Sequence, residues 1–196
     1  MYYYFSKIIW VPLLLIITMS CNLLTTREAE EPINVRSSYR PATTPEQLFL
    51  NLTNSFSEKN EKDYISCFVD SSFLNEKYKF TPSSEALFNY NFLSDWDLTS
   101  EQIYFKNLIN TFKEGDNIVI TLNLISSSIE GNIGNRNYDY TIKLPEINEN
   151  NAVTYKGNSS FTINLDNNNQ WVITSWIDIQ TGKTNPAWSD LKGRFF

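Results

Sequence analysis

Near its C-terminal end the chain reads "WVITSWIDI", from Trp171 to Ile179. Alternation along a strand places Trp176 and Asp178 on one face with Val172 and Thr174, and puts Trp171, Ile173, Ile177 and Ile179 on the other. A carboxylate held against a tryptophan in a dry pocket has its pKa raised and could work as a general acid or base. The competing, favoured reading is structural: Asp178 ends a strand and bonds backbone donors in the "QTGKTN" turn that follows. Histidine is absent from all 196 residues. That removes the commonest general base, the commonest metal ligand and every Ser-His or Cys-His arrangement. Any catalysis would have to run through carboxylates, tyrosines or lysines.

The remaining chemical signals are weaker. Cys67 sits beside Phe68 on an apolar stretch, where a thiol is core filler rather than a nucleophile. "DNNNQW", from Asp166, begins like a calcium loop, but Trp171 stands where the sixth-position glycine belongs and Ile177 where the twelfth-position glutamate belongs. "GNIGNRN" follows a strand and opens no helix, so it is no phosphate loop. No cofactor and no metal are expected. With 16 basic against 22 acidic residues the net charge is −6. Such a surface repels phosphate backbones, and nucleic acid is not an expected partner.

The other cysteine, Cys21, ends an apolar run from Ile8 to Ile17 that follows Lys7. The run is about ten residues, half of the roughly twenty needed to span a bilayer. A charged start, a short apolar middle and a small residue before the cut form a secretory signal, with cleavage expected between Ser20 and Cys21. "TMSC" resembles the lipobox of bacterial lipoproteins, with Thr18 where the family usually carries leucine. The resemblance implies acylation of Cys21 (diacylglyceryl, with an amide-linked chain such as palmitate) after loss of residues 1–20. An uncleaved anchor is the alternative. Asn22 does not match the aspartate that holds some lipoproteins in the inner membrane, so the outer membrane of the cell envelope is expected. With Cys21 acylated, Cys67 has no partner for a disulfide.

Residues 21–43 read as the lipidated cysteine and a flexible tether, and 44–196 as one folded domain. Thr44, Pro45 and Gln47 predict a capped helix start with a capping box, and Leu48, Phe49, Leu52 and Phe56 share one face. A second short helix should carry Tyr64, Ile65, Cys67 and Phe68. A short strand through Tyr78 and Phe80 follows, then a helix from Ser83 or Ser84. "LTSEQIYFKNLINTF" is a further helix with Ile103, Leu108, Ile109 and Phe112 inward. From Ile118 the period changes to two, predicting four strands: one to Leu124, "YDYTIKL" after an "EGNIGNRN" loop, "NAVTYKGNSSFTINL" bent or bulged at Gly157, and the closing strand after a "DNNNQ" turn. Helices first and long antiparallel strands after define an α+β fold, with helices on one face of a curved sheet.

This order, with the pattern Trp171-x-Ile173-x-x-Trp176-x-Asp178 and a tail from Trp188 to Lys192, resembles the nuclear transport factor 2-like superfamily. The resemblance implies a cone of helices wrapped by a bent sheet, with Trp96, Tyr104, Trp176 and Asp178 as candidate pocket residues. Core packing of the aromatics, which make up 15% of the chain, is the competing reading. The superfamily holds isomerases, dehydratases, epoxide hydrolases and non-catalytic binding domains, so fold does not set activity. Its steroid isomerases' Tyr/Asp pair finds no matching positions here, and its dehydratases lean on histidine. The favoured expectation is a membrane-anchored, non-catalytic module, a monomer or weak dimer, that holds a small apolar ligand or an envelope protein. The alternative is a hydrolase, dehydratase or isomerase using Asp178 with a tyrosine.

Overall fold

The computed structural model describes residues 37–113, 115–146, 153–182 and 184–196. The expected leader 1–20, Cys21 and the tether up to residue 36 lie outside the described residues. Helix α1 spans Pro45–Ser57, with Thr44 Oγ1 accepting from Gln47 N–H at 3.2 Å and Leu48, Phe49, Leu52 and Phe56 buried on one face. The capping box is not completed. Gln47 gives its side-chain amide to Asn51 Oδ1 at 2.8 Å, because buried Asn51 is itself the clasp for the preceding segment. Its Nδ2 donates to the Arg40 carbonyl at 2.6 Å, and the Ala42 carbonyl accepts from Trp171 N–H at 2.8 Å. The fold therefore starts upstream of residue 44, and residues 37–43 belong to it rather than to a tether.

Helix α2, Glu61–Ile65, is shorter than its apolar pattern predicts. Cys67 and Phe68 lie beyond it because their backbone is taken up by the sheet: Ile173 N–H donates to the Cys67 carbonyl at 2.8 Å and Val69 N–H to the Ile173 carbonyl at 3.0 Å. Strand β1, Lys79–Thr81, precedes α3, Ser84–Asn89, which Ser83 caps. A 3₁₀ turn at Asn91–Asp95 leads to α4, Leu98–Thr111, capped by Asp97. The inward face of α4 is Glu101, Tyr104, Phe105 and Leu108, whereas Ile103 is exposed. Leu108 and Phe112 are buried and Ile109 packs against the core as expected, so Ile103 alone departs from the predicted face, whose remaining positions go to Glu101, Tyr104 and Phe105.

Strands β2 (Val119–Glu130), β3 (Ile133–Lys143), β4 (Thr154–Leu165) and β5 (Trp171–Gln180) pair antiparallel in sequence order. β1 adds parallel to the outer side of β5, giving a five-stranded sheet ordered β1-β5-β4-β3-β2. "EGNIGNRN" is not a loop. Glu130 pairs with Ile133, leaving only Gly131 and Asn132 to turn, and Gly131 at φ +59° supplies the left-handed first position of a tight hairpin. Nor is β4 bulged at Gly157, where its pairing with Tyr140 is regular. The glycine is there for clearance: a Cβ would lie 2.5 Å from Tyr140 Oη and 2.6 Å from the Ile179 carbonyl oxygen. The last element, α5 (Trp188–Phe195), packs Trp188, Ser189, Leu191, Lys192 and Phe195 into the core.

Candidate functional site

The inward face of the sheet is read from β4, where Ser159, Phe161 and Ile163 are buried. Their cross-strand partners on β5 are Asp178, Trp176 and Ile173. The spacing from Ile173 to Trp176 is three residues, against two on β4, so Thr174 is the extra residue of a β-bulge. Simple alternation therefore holds only beyond the bulge. Trp176 and Asp178 share their face with Ile173 and Trp171, not with Val172 and Thr174, because the bulge reverses the facing of the first half of the strand.

Asp178 is buried, and its partners differ from those expected. Among the described residues it makes no hydrogen bond to the "QTGKTN" turn at 180–185. Oδ1 accepts from the Tyr140 hydroxyl at 2.7 Å, and Oδ2 accepts from Ser189 through its N–H at 2.6 Å and its hydroxyl. Tyr140 Oη in turn accepts from Trp188 N–H at 2.7 Å, and Ser189 Oγ from Ser83 N–H at 3.0 Å. The carboxylate thus holds the first turn of α5 onto the sheet. Burial raises its pKa, opposed by the hydrogen bonds from Ser189 and Tyr140. Tyr140 is pushed well above the ordinary tyrosine range, chiefly by burial.

A second buried carboxylate, Glu101 of α4, lies deeper. Tyr64 and Lys192 both donate to Oε1, Lys192 reaches Oε2 as well, and Oε2 also accepts from Tyr78 Oη at 3.0 Å and Trp96 Nε1 at 2.6 Å. Neither Glu101 nor Lys192 has solvent-accessible side-chain surface. The Lys192 ammonium lies 3.9 Å from the centroid of the Trp176 ring and 4.1 Å from that of Phe80. Trp96 and Tyr104 stand at 5.4 and 5.5 Å. Desolvation pulls the lysine down to about 8 while Glu101 opposes the shift. Burial and the Glu101 charge hold Tyr64, Tyr78 and Tyr104 well above 10.

Of the four candidate pocket residues, Trp96, Tyr104 and Trp176 come together around this ammonium, and Asp178 stands apart beside Tyr140. All four are buried among other core side chains. Trp176 and Trp188 meet edge to face at 4.5 Å between ring centroids, with Phe161 4.9 Å from Trp176. Open volume lies at the surface instead. A cleft of about 600 Å³ has Phe68, Tyr78 and Val172 among its walls, with Asp70, Asp97 and Asp166 beside them. A second, of about 550 Å³, runs along Ile177, Asp178 and Ile179 opposite Glu85. Trp96, Tyr104 and Trp176 line neither.

Glu101 and Lys192 are absent from the sequence-derived site, yet both carry a signal. Each is a charged residue set into an apolar helical stripe. Glu101 precedes Tyr104, Phe105 and Leu108 by three, four and seven positions. Lys192 follows Trp188 by four and precedes Phe195 by three. A charge at such a position is buried only with a partner.

No protein-family model matches the chain, and no curated protein does. Solved structures do. A candidate dehydratase of the nuclear transport factor 2-like family from Streptomyces avermitilis superposes with a TM-score of 0.53 at 7% identity, over 70% of this chain and 94% of its own. A candidate aromatic ring hydroxylase from Novosphingobium aromaticivorans gives 0.52 at 10% identity, over 74% and 92%. A nuclear transport factor 2-like superfamily protein from Salmonella enterica serovar Typhimurium gives 0.50 at 10%, over 71% and 89%. The described domain has the nuclear transport factor 2-like fold, an α+β cone on a curved, open sheet.

Proposed function

We propose that this chain is a non-catalytic binding domain, held at the bacterial cell envelope by lipid on Cys21. One observation carries the non-catalytic half. The interior of the cone, where a substrate would be enclosed, is occupied by the chain's own Trp176, Trp188, Tyr104 and Lys192. Both interior carboxylates, Glu101 and Asp178, are saturated by internal donors. A small apolar ligand or an envelope protein would then meet the surface cleft floored by Phe68, Tyr78 and Val172.

The anchoring half rests on the short apolar run ending at Ser20-Cys21. Among the described residues no helix is long and apolar enough to cross a membrane. One acyl chain holds only weakly, so a diacylated cysteine with a third chain suits stable anchoring, here expected in the outer membrane. Expressed in a bacterium, the chain should enter the detergent phase and carry the mass of an acylated N-terminal cysteine. Cys21→Ser should lose both, and a variant processed and anchored like the parent would overturn the assignment. The rival, a hydrolase, dehydratase or isomerase, draws on the Tyr140–Asp178 hydrogen bond and on Asp178 bordering the second cavity. An Asp178→Asn protein that keeps its stability but loses a turnover found by screening would establish the rival.

A further inference from the structure

The environment of Lys192 has the composition of a receptor for an ammonium ion. Two aromatic faces, Trp176 and Phe80, lie about 4 Å from Nζ, two more rings stand within 6 Å, and a carboxylate completes the shell. Aromatic faces within about 6 Å attract cations most strongly where water is excluded. The carboxylate is itself positioned: Tyr64, Tyr78 and Trp96 come from three different segments and all donate to it. A lysine merely tolerated in a core would need one counter-charge. This one has a counter-charge fixed by three donors and four aromatic rings within 6 Å of its ammonium.

We propose that the interior of the cone is a primary-alkylammonium site, occupied in cis by Lys192, with α5 delivering the side chain as a tethered ligand. The chemical class follows from the cage. Three hydrogens of a primary ammonium suit the two Glu101 oxygens and the ring faces of Phe80 and Trp176. A neutral molecule of the same size would leave the carboxylate uncompensated. A quaternary ammonium would offer no N–H to it. This extends the reading of the interior as a filled, non-reacting space, and rests on it.

The test removes the resident and supplies a free one. Lys192→Ala keeps Cβ and vacates the space of n-propylammonium. The variant should melt well below the parent. At a hundredfold its dissociation constant, n-propylammonium chloride should raise the midpoint by about 5–10 °C. 1-Propanol and tetramethylammonium at equal concentration and ionic strength should not, and the parent should respond to none of them. Equal rescue by 1-propanol, or no rescue of a folded variant, would sink the proposal.

Should Lys192→Ala fail to fold alone, refolding yield in n-propylammonium against sodium chloride gives the same comparison, with equal yields counting against the cage. Reductive methylation of the native parent supplies an independent measure. Lys192 should be spared until the protein is unfolded, and its labelling at the rate of surface lysines would overturn the assignment. The two readings fail differently. A catalytic interior would show as turnover by the parent, whereas an absent cage would show as an inert parent and an unresponsive variant.

Discussion

Glu101→Gln removes the carboxylate that is paired directly with Lys192. The size is nearly unchanged, so packing drops out of the comparison. An ammonium left in the interior has two exits, both costly. It can stay charged, in which case breaking a buried pair from one side costs about 3–5 kcal/mol. It can instead lose its proton, and discharging a lysine of ordinary pKa ~10.4 at pH 7 costs at most about 4.6 kcal/mol at 1.36 kcal/mol per unit. The aromatic cage softens the first exit, so a loss of about 3–4 kcal/mol is expected. With a urea slope of about 1–3 kcal/mol per molar, the unfolding midpoint should fall by ~1–4 M, read by tryptophan fluorescence.

The sign of the pH dependence adds a second check. The folded pKa of Lys192 is depressed to about 8 by desolvation, and Glu101 is what keeps it from falling further. In Glu101→Gln it falls further, so the variant binds fewer protons than the parent near pH 7 and regains stability relative to it as pH rises. The gap should therefore narrow between pH 6.5 and 9. The pair Glu101→Gln with Lys192→Met, which removes both charges, should return to within about 1–2 kcal/mol of the parent. A single substitution costing under ~1 kcal/mol, or a gap that widens with pH, would refute the reasoning.

Three further outcomes are expected. Asp178→Asn should cost about 1–3 kcal/mol, because an amide turns one of its two acceptor positions into a donor facing Tyr140 or Ser189; an unchanged urea midpoint would contradict this. Gly157→Ala should lose about 1–3 kcal/mol from the clash with Tyr140 Oη and should shift the Tyr140 ring signals in an NMR spectrum. Cys67 is buried and burial pushes its thiol well above the ordinary range, so a disulfide reagent should modify it no faster than the native state opens. Rapid labelling of the folded protein would show that the α2–β5 junction is not packed as described.

The sequence carried the element order because period and caps are local properties. Thr44, Ser83 and Asp97 cap the helices that follow them, and the change of period near Ile118 marks where the sheet begins. The facing of β5 was misread although the sequence holds the clue. Ile173 and Trp176 are three apart, which strict alternation cannot accommodate on one face. The Thr174 bulge resolves it only through pairing with β4, a long-range fact. Glu101 and Lys192 carry a signal but no meaning on their own, for a related reason. Each breaks the apolar pattern of its helix, and neither makes sense until residues 91 positions apart are brought together. Trp96, Tyr104 and Trp176 were chosen as aromatic, and they do converge, but around a lysine rather than around empty space.

The placement of α5 also sets a timetable. The β2–β3 hairpin closes through a two-residue turn and can zip as soon as both strands exist. Helix α5 follows every strand in chain order, yet its Lys192 meets Glu101 across 91 residues, its Trp188 meets Tyr104 across 84 and its Ser189 meets Ser83 across 106. Such closures are entropically costly and slow compared with hairpins. Without α5, Glu101 lacks its Lys192 partner and Tyr104 its bond from Trp188, so the centre of the fold is completed only when this helix docks. Closing that centre needs contacts the hairpins cannot supply, so α5 is expected to dock after the sheet has paired, and a tryptophan-fluorescence phase slower than the far-ultraviolet signal in refolding would show it.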